Sequence, residues 1–91
     1  MEFRFVKAIQ FTRLIKAHGR LREFNFRRVN NAEGESFSVN VCDDRGERIL
    51  FKMQKDNNNW RFMPQQLPMW VVEQEDRLGQ LIDEELQAFQ H

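Results

Sequence analysis

Residues 36–62 read SFSVNVCDDRGERILFKMQKDNNNWRF, and most of the predicted sheet can be inferred from them. Large apolar residues alternate with smaller or polar ones in three runs, at 37–41, 49–53 and 60–62. A period of two is typical of β-strands with one buried face. The runs are separated by Asp43-Asp44-Arg45-Gly46 and by Asp56-Asn57-Asn58-Asn59, which are residues that favour tight turns. The stretch therefore predicts three consecutive strands joined by hairpin loops.

The same alternation extends back toward the start of the chain. Phe24 and Phe26 alternate with polar residues, and residues 30–34 (NNAEG) form a further turn pattern. An earlier strand is predicted at Phe11–Lys16, turning through residues 17–20 into the next one. Residues 3–10 fit a short helix as well as a strand, and residues 1–10 are predicted to be a flexible or extended N-terminal arm.

After Phe62 the period of the apolar residues changes. Pro64 and Pro68 bracket a connection, and proline is well tolerated in the first turn of a helix because its missing N–H has no partner there. The next apolar spacings predict one amphipathic helix of about 20 residues, with a stripe made of Leu67, Val71, Leu78, Ile82, Leu86 and Phe89. Gly79 lies inside this helix at a cost of about 1 kcal/mol relative to alanine, which predicts a close approach to the sheet.

These elements predict an α+β fold: an antiparallel meander sheet of four to five strands with one C-terminal amphipathic helix packed across one face. A chain of 91 residues has room for one core, so residues 1–91 are expected to form a single domain. The residues predicted to point inward are Phe24, Phe26, Phe37, Val39, Val41, Ile49, Phe51, Met53, Trp60 and Phe62. Those predicted to point outward are Thr12, Leu14, Lys16, Glu23, Asn25, Arg27, Ser38, Asn40, Cys42, Arg48, Leu50, Lys52, Gln54 and Arg61.

The composition favours a cytoplasmic protein. Cys42 is the single cysteine, which excludes an internal disulfide and fits a reducing compartment. The longest apolar run, around Met69–Val72, is far shorter than the roughly 20 residues of a membrane span. Arg4 and Lys7 interrupt the N-terminal residues, so we expect neither a signal peptide nor membrane association.

The net charge of zero hides an asymmetry along the chain. Residues 1–63 carry 13 Lys and Arg against 8 Asp and Glu, whereas residues 64–91 carry one Arg against six acidic residues. One interpretation is that the basic and acidic parts of a small domain attract each other. The other is an acidic partner such as nucleic acid.

The predicted outward face holds one acidic residue and five basic ones, the candidate binding residues Lys16, Arg27, Arg48, Lys52 and Arg61. This pattern fits a solvated sheet face and also a shallow platform for a phosphate backbone. No aromatic residue is predicted on this face to stack on bases, as single-strand binders usually require. Phe3, Phe5 and Trp70 are the aromatics placed to reach a partner from its margins.

Features that resemble catalytic or metal sites have simpler explanations. His18 falls in a predicted turn, and Cys42 has no second cysteine or histidine pair at metal-ligand spacing. Asp43-Asp44 with Gly46 lacks the ligand spacing of a calcium loop and predicts a hairpin turn instead. The acidic residues of the helix are typical of a solvated face. We therefore expect no enzyme activity, no metal ion and no cofactor.

The order of elements over Leu21–Phe89, strands first and one helix last, resembles the Pur-alpha and whirly folds in topology. The resemblance implies units that pair into dimers and hold single-stranded nucleic acid on their sheets. No motif of these families is matched residue by residue, so the resemblance implies no individual site residue.

These observations predict a small non-enzymatic binding or interaction module that acts through protein–protein contact or self-association as a homo-oligomer. Unpaired edge strands of a meander favour strand addition by a partner. An apolar island of Leu14, Leu50 and Cys42 is also predicted to suit a face-to-face dimer. The alternative is weak single-stranded nucleic-acid binding through the basic outward face.

Overall fold

The computed structural model describes residues 9–31 and 34–89. These residues form five strands and two helices: β1 (Gln10–Ala17), β2 (Arg20–Asn31), β3 (Gly34–Cys42), β4 (Arg48–Asp56), β5 (Asn59–Phe62), α1 (Met69–Val72) and α2 (Glu75–Phe89). Each strand pairs antiparallel with the next in the order β1-β2-β3-β4-β5. The sheet curls into a half-barrel, and the predicted α+β meander is confirmed.

The strand predicted near the start of the chain is confirmed and begins at Gln10. Ile9, just before it, is buried in the core. Residues 1–8 lie outside the described residues, and so does most of the segment 3–10 for which a helix was the alternative.

Two of the hairpin turns have the backbone that the sequence favours. His18 and Gly19 join β1 to β2 with φ values of 54° and 79°, and Asn57 and Asn58 join β4 to β5 with φ values of 51° and 72°. Positive φ at both central residues is characteristic of the type I′ turn, which matches the twist of a hairpin. Gly and Asn are the residues that adopt this conformation most easily.

The third of these turns is closed by a side chain. The Asp43 carboxylate accepts hydrogen bonds from the backbone N–H groups of Arg45 and Glu47, at 2.9 and 2.8 Å. The backbone N–H of Asp43 in turn donates to the Glu47 carbonyl, at 2.8 Å. The acidic pair at 43–44 therefore belongs to a hairpin turn, as predicted.

The core lies between the sheet and the helices. All the predicted inward residues contribute to it: eight are buried, and Ile49 and Phe62 are half-buried and packed against the others. From the helices, Val71, Leu78, Leu81 and Ile82 complete the cluster. We call the side of the sheet that meets the helices the inner face. The opposite side, which carries the predicted outward residues, is the outer face.

The C-terminal helix differs from its prediction in one respect. The chain forms two helices instead of a continuous one, because the helix that begins after Pro68 ends at Val72 and a second begins at Glu75. At the break the Gln74 N–H donates to the Val71 carbonyl three residues back, at 2.9 Å. Leu67 and Leu86 of the predicted stripe are half-buried against the core, and the side chain of Phe89 lies outside the described residues.

Gly79 is the point of closest approach between α2 and the sheet. A Cβ atom added there would lie 2.9 Å from the Cβ of Trp60 in β5. Carbon atoms in van der Waals contact are separated by about 3.5–4.0 Å, so a side chain at this position has no room. The predicted reason for a glycine inside the helix is confirmed.

Candidate functional site

The five predicted binding residues all lie exposed on the outer face. Lys16 belongs to β1, Arg27 to β2, Arg48 and Lys52 to β4, and Arg61 to β5. They are therefore distributed over four strands of the sheet.

Two of the five form a row across the middle strands. Arg27 and Lys52 both lie opposite Ser38 of β3, one on each side. With strands about 4.8 Å apart, their Cα atoms are separated by about 10 Å. Neither side chain has an ion pair within residues 9–31 and 34–89, and the same holds for Lys16.

Arg48 and Arg61 are engaged by neighbours. Arg48 donates from Nη1 to Oδ1 of Asn40, at 3.3 Å. Arg61 lies 3.7 Å from the carboxylate of Glu75. Arg61 has the predicted outward phase, but its guanidinium meets the acidic C-terminal part of the chain, because Glu75 at the start of α2 reaches the edge strand that carries it.

A shallow hollow of about 450 Å³ lies on the outer face beside this row. Thr12 donates to Asn25 at 2.7 Å, and Asn25 donates to Asn40 at 3.1 Å, so one hydrogen-bonded chain crosses β1, β2 and β3. No carboxylate lines the hollow, and its remaining lining residues are Gln10, Phe11, Phe26, Arg27, Ser38 and Leu50. Its surface suits an anion or a polar group better than a cation.

Aromatic stacking is not available on this face. Every described Phe and Trp on the strands belongs to the inner face. Trp70, expected to reach a partner from the margin, is half-buried and holds the guanidinium of Arg22 over its ring instead. Phe3 and Phe5 lie outside the described residues.

The free side of β1, which we call the open edge, carries unpaired main-chain groups. The Arg28 N–H donates to the Ile9 carbonyl at 2.9 Å, which makes these two residues a hydrogen-bonded pair of the β1–β2 ladder. Such pairs alternate along antiparallel strands, so the odd residues of β1 bond to β2 and the even residues point their N–H and C=O groups away from it. The even residues of β1 are Gln10, Thr12, Leu14 and Lys16.

Within the described part of the chain no strand pairs with the open edge. A side chain approaches it at one carbonyl: Arg13 donates from Nη1 to the Thr12 oxygen, at 2.9 Å. A carbonyl oxygen has two lone pairs and accepts a second hydrogen bond. The outward N–H and C=O groups of the four even residues therefore remain available to a partner strand.

At the opposite edge of the sheet the part formed by β5 is occupied, whereas Arg48–Phe51 of β4 extend beyond β5. The Met63 N–H donates to the Lys52 carbonyl at 3.0 Å, so the alternation along β5 turns the Phe62 N–H away from β4. The Glu75 carboxylate accepts that N–H at 2.8 Å. Gly79 of α2 packs against Trp60, and the Trp60 indole N–H donates to Asp83 of α2 at 2.9 Å. Helix α2 thus covers the edge that β5 would otherwise expose.

The predicted apolar island is not continuous. Leu14 and Leu50 are 65% and 57% exposed, and Cys42 is exposed at the end of β3. By register, however, Leu14 faces Glu23 and Leu50 faces Asn40. The polar residues of β2 and β3 therefore separate Leu14 from the other two. Leu14 lies near the middle of the open edge, where its diagonal neighbour on β2 is the exposed Leu21.

A charge cluster at the end of the β1–β2 hairpin was not predicted from the sequence. Arg22 has the inward phase of β2 and is 7% exposed, with Nε donating to the Ala17 carbonyl at 2.9 Å. Its Nη1 lies 3.0 Å from Oδ1 of Asp44, and Arg20 donates to the same oxygen at 3.0 Å. The hydrogen bond from Arg22, together with the positive charges of Arg22 and Arg20, lowers the pKa of Asp44 below its ordinary value of 3.8. An inward phase at a charged residue was the one signal for this cluster.

The described residues form neither a metal-binding cluster nor a membrane-spanning helix. They contain no cluster of three His, Cys, Asp or Glu side chains able to hold a metal ion. Neither α1 nor α2 has the length and apolar content needed to cross a bilayer. His18 lies exposed in the β1–β2 turn, whereas His91 is outside the described residues.

Comparison with known proteins finds no matching family model, no matching curated protein and no matching solved structure.

Proposed function

We propose that this chain is a small cytoplasmic interaction module that binds protein rather than catalysing a reaction, and that it associates through the open edge of β1. The observation that carries the proposal is the difference between the two ends of the sheet. Helix α2 and Glu75 cover the β5 edge. Within the described residues, by contrast, the outward main-chain groups of the even residues of β1 bond to no other strand and receive one side-chain hydrogen bond, from Arg13 to the Thr12 carbonyl. A long uncovered edge strand is a template for strand addition.

The side chains at this edge offer little opposition to pairing. Proteins that avoid edge association place proline, bulges, inward-pointing charges or exposed charges, lysine above all, on the edge strand. β1 has one exposed lysine, Lys16, next to its last residue. β1 contains no proline, and its ladder with β2 runs unbroken from Gln10 to Ala17. Its one inward-pointing charge, Arg13, is paired with Glu85 of α2 at 2.5 Å. The simplest partner for such an edge is a second copy of the chain.

A proline at Thr12 tests the proposal. The Thr12 N–H points to the open edge, so Thr12→Pro removes a donor from the edge without breaking a hydrogen bond to β2. Thr12→Val is the matched control, since it also loses the hydroxyl group but keeps the N–H. We expect wild type and Thr12→Val to associate with rising concentration in sedimentation velocity, and Thr12→Pro to remain folded and monomeric.

Two results contradict the proposal. A wild-type chain that sediments as a monomer at every concentration overturns self-association. A folded Thr12→Pro variant that associates as strongly as wild type shows that the open edge is not the contact. Circular dichroism on each variant separates loss of association from loss of fold.

A second candidate function is weak binding of single-stranded nucleic acid to the outer face. The observation that favours it is the set of exposed cations without an ion pair in the described residues, Lys16, Arg27 and Lys52. The neighbouring hollow has no carboxylate to repel phosphate. Because the face has no aromatic side chain, contact would be made with the backbone of the nucleic acid rather than by base stacking.

Titration with a single-stranded oligonucleotide at low and at moderate salt tests this candidate. Backbone contacts release counterions, so we expect affinity to fall steeply with salt. Arg27→Gln with Lys52→Gln is expected to abolish binding and leave the melting temperature unchanged or raised. The matched control, Arg45→Gln with Arg77→Gln, removes the same charge from a turn and from α2 and is expected to retain most of the binding. Absence of wild-type binding at low salt would end this candidate.

A further inference from the structure

We propose that the partner of the open edge is a second copy of this chain, paired antiparallel about a two-fold axis that passes between the two Leu14 residues. This inference rests on the proposed use of the β1 edge and specifies its partner and register. It follows from the hydrogen-bond phase of β1, from the charges along it and from the exposure of Leu14.

The hydrogen-bonding pattern of β1 limits the registers in which two β1 strands can pair. The free main-chain groups belong to the even residues of β1, so two copies form hydrogen bonds only where an even residue lies opposite an even residue. Four symmetric registers near the middle of the strand satisfy this condition, with axes at Thr12, Arg13, Leu14 and Ile15. The axis at Ile15 pairs only residues 13–17 of the two copies and places the exposed Leu14 opposite the partner's Lys16, so it gives Leu14 no apolar neighbour across the edge.

Charge disfavours the axis at Arg13. That register places two Arg13 side chains directly opposite each other on the inner face, at the close spacing of a non-hydrogen-bonded pair. Like charges in direct opposition destabilise a sheet. The carboxylate that neutralises Arg13 in each copy is Glu85, and it is already engaged in the ion pair within its own chain.

The extent of the strand disfavours the axis at Thr12. That register places Lys16 opposite residue 8 of the partner, ahead of β1, and leaves the exposed Leu14 opposite Gln10. It therefore gives Leu14 no apolar neighbour across the edge.

The axis at Leu14 avoids both problems. Leu14 lies opposite the partner's Leu14, so two side chains that are 65% exposed in the single chain shield each other on the outer face. Thr12 lies opposite the partner's Lys16, and Arg13 opposite the partner's Ile15, so no two like charges oppose each other. Residues 11–17 of both copies take part, which is nearly the whole of β1.

This arrangement has a consequence for the outer face. Antiparallel pairing across an edge places the two-fold axis perpendicular to the sheet, so both outer faces lie on the same side. Ten strands at about 4.8 Å span about 45 Å. The exposed cations of the two copies then share one continuous surface, and both α2 helices lie on the other side.

Disulfide trapping in a Cys42→Ser background tests the register. Opposite residues of a hydrogen-bonded pair have Cα atoms about 5.5 Å apart, which lies within the usual range for a disulfide. We expect Leu14→Cys to form a covalent dimer under mild oxidation. Thr12→Cys and Lys16→Cys, each alone, are expected to stay monomeric on a non-reducing gel. In this register each of these residues lies four residues, about 13 Å along the strand, from the same residue of the partner. An equimolar mixture of these two variants is expected to crosslink.

Gln87→Cys, on the exposed face of α2, sets the level of crosslinking by random collision. Crosslinking of Thr12→Cys alone above that level overturns the Leu14 register. If neither Leu14→Cys nor the mixture crosslinks although the wild type dimerises in sedimentation, the register is overturned but the proposed edge contact stands. A monomeric wild type overturns the edge contact itself, so the two failures are distinguishable.

Discussion

The guanidinium of Arg22 lies over the indole of Trp70, with Cζ 4.3 Å from the ring centroid. Arg22 comes from the start of β2 and Trp70 from α1, so this contact joins the short helix to the sheet. The same guanidinium donates to the Ala17 carbonyl and pairs with Asp44. A nearly buried cation is thus held by an aromatic face, a carbonyl and a carboxylate, which offset part of its desolvation.

Replacing Arg22 by lysine tests the importance of this arrangement. Arg22→Lys keeps the charge but loses the planar group that stacks on Trp70 and donates in two directions at once. We expect the free energy of unfolding to fall by about 1–3 kcal/mol. Urea denaturation with circular dichroism measures the change.

Arg20→Lys is the matched control, because Arg20 contacts the same oxygen of Asp44 at 3.0 Å from a side chain that is 66% exposed. Exposed ion pairs contribute little, so we expect a change within about 0.5 kcal/mol. Equal effects of the two substitutions would show that burial and stacking of Arg22 do not stabilise the fold.

Asp44→Asn is expected to destabilise the protein in a pH-dependent way. Because the pKa of Asp44 is lower in the folded chain than its ordinary value of 3.8, its carboxylate stabilises the fold above that pH. The stabilisation is lost as the pH falls from 3.8 through the folded pKa. The difference in unfolding free energy between wild type and Asp44→Asn is therefore expected to be constant near neutral pH and to shrink below about pH 4.

Urea titrations at a series of pH values between 2.5 and 7 check this expectation. Added salt at pH 7 is expected to reduce the same difference, because Asp44 is 53% exposed and its charge is screened. A difference that persists undiminished at the lowest pH would show that the amide disturbs the turn for a reason other than charge.

The strands could be predicted from the sequence because their signals are local. Alternation at residues such as Val39, Val41 and Phe51 reports which face is buried, and Asn or Gly at turn positions permits positive φ. The outward phase of Arg27 and Lys52 followed from the same alternation. Every predicted inward and outward position therefore lies on its expected side of the sheet.

The break in the C-terminal helix and the Arg22 cluster could not be predicted in this way. Val71 and Leu78 keep a spacing that fits one straight helix, and side-chain periodicity does not show where main-chain hydrogen bonds change partner. Arg22 has an inward phase but a charged side chain, and its environment depends on Trp70, 48 positions further along the chain. The sequence pattern also could not predict that α2 covers the β5 edge and leaves the β1 edge open, because this depends on where α2 packs.

Phe51→Asp is expected to unfold the domain. Phe51 is 2% exposed and packs edge-on against Phe62, with ring centroids 5.2 Å apart. An unpaired charge at this position costs several kcal/mol, which is comparable with the whole stability of a small domain. Circular dichroism and the dispersion of a proton NMR spectrum are the measurements.

Leu50→Asp, at the adjacent position, is the control. Leu50 is 57% exposed on the outer face, so we expect a folded protein with a change in unfolding free energy within about 1 kcal/mol. If Leu50→Asp unfolded the chain and Phe51→Asp did not, β4 would be shifted by one residue and both faces of the sheet would be exchanged.

Gly79→Ala is expected to destabilise the protein although alanine is the better helix former. Helix propensity alone favours alanine by about 1 kcal/mol. The added methyl group would lie 2.9 Å from the Trp60 Cβ, and that atom is fixed to the β5 backbone. Trp60 is further held by its hydrogen bond to Asp83 and its edge-on contact with Phe37. Because α2 must move away from β5, we expect the overpacking to outweigh the propensity gain and the unfolding free energy to fall by about 1–2 kcal/mol.

Gln87→Ala serves as the control for Gly79→Ala, since it introduces alanine at an exposed position of the same helix and is expected to be nearly neutral. Urea denaturation compares the two variants. The indole fluorescence of Trp60 and Trp70 follows the movement of α2 in the folded state, and we expect it to change in Gly79→Ala alone. A Gly79→Ala variant that is more stable than wild type would show that α2 does not pack so closely on β5. The Phe62 edge would then lack the cover that distinguishes it from the open edge of β1, and the asymmetry on which the proposed association rests would be lost.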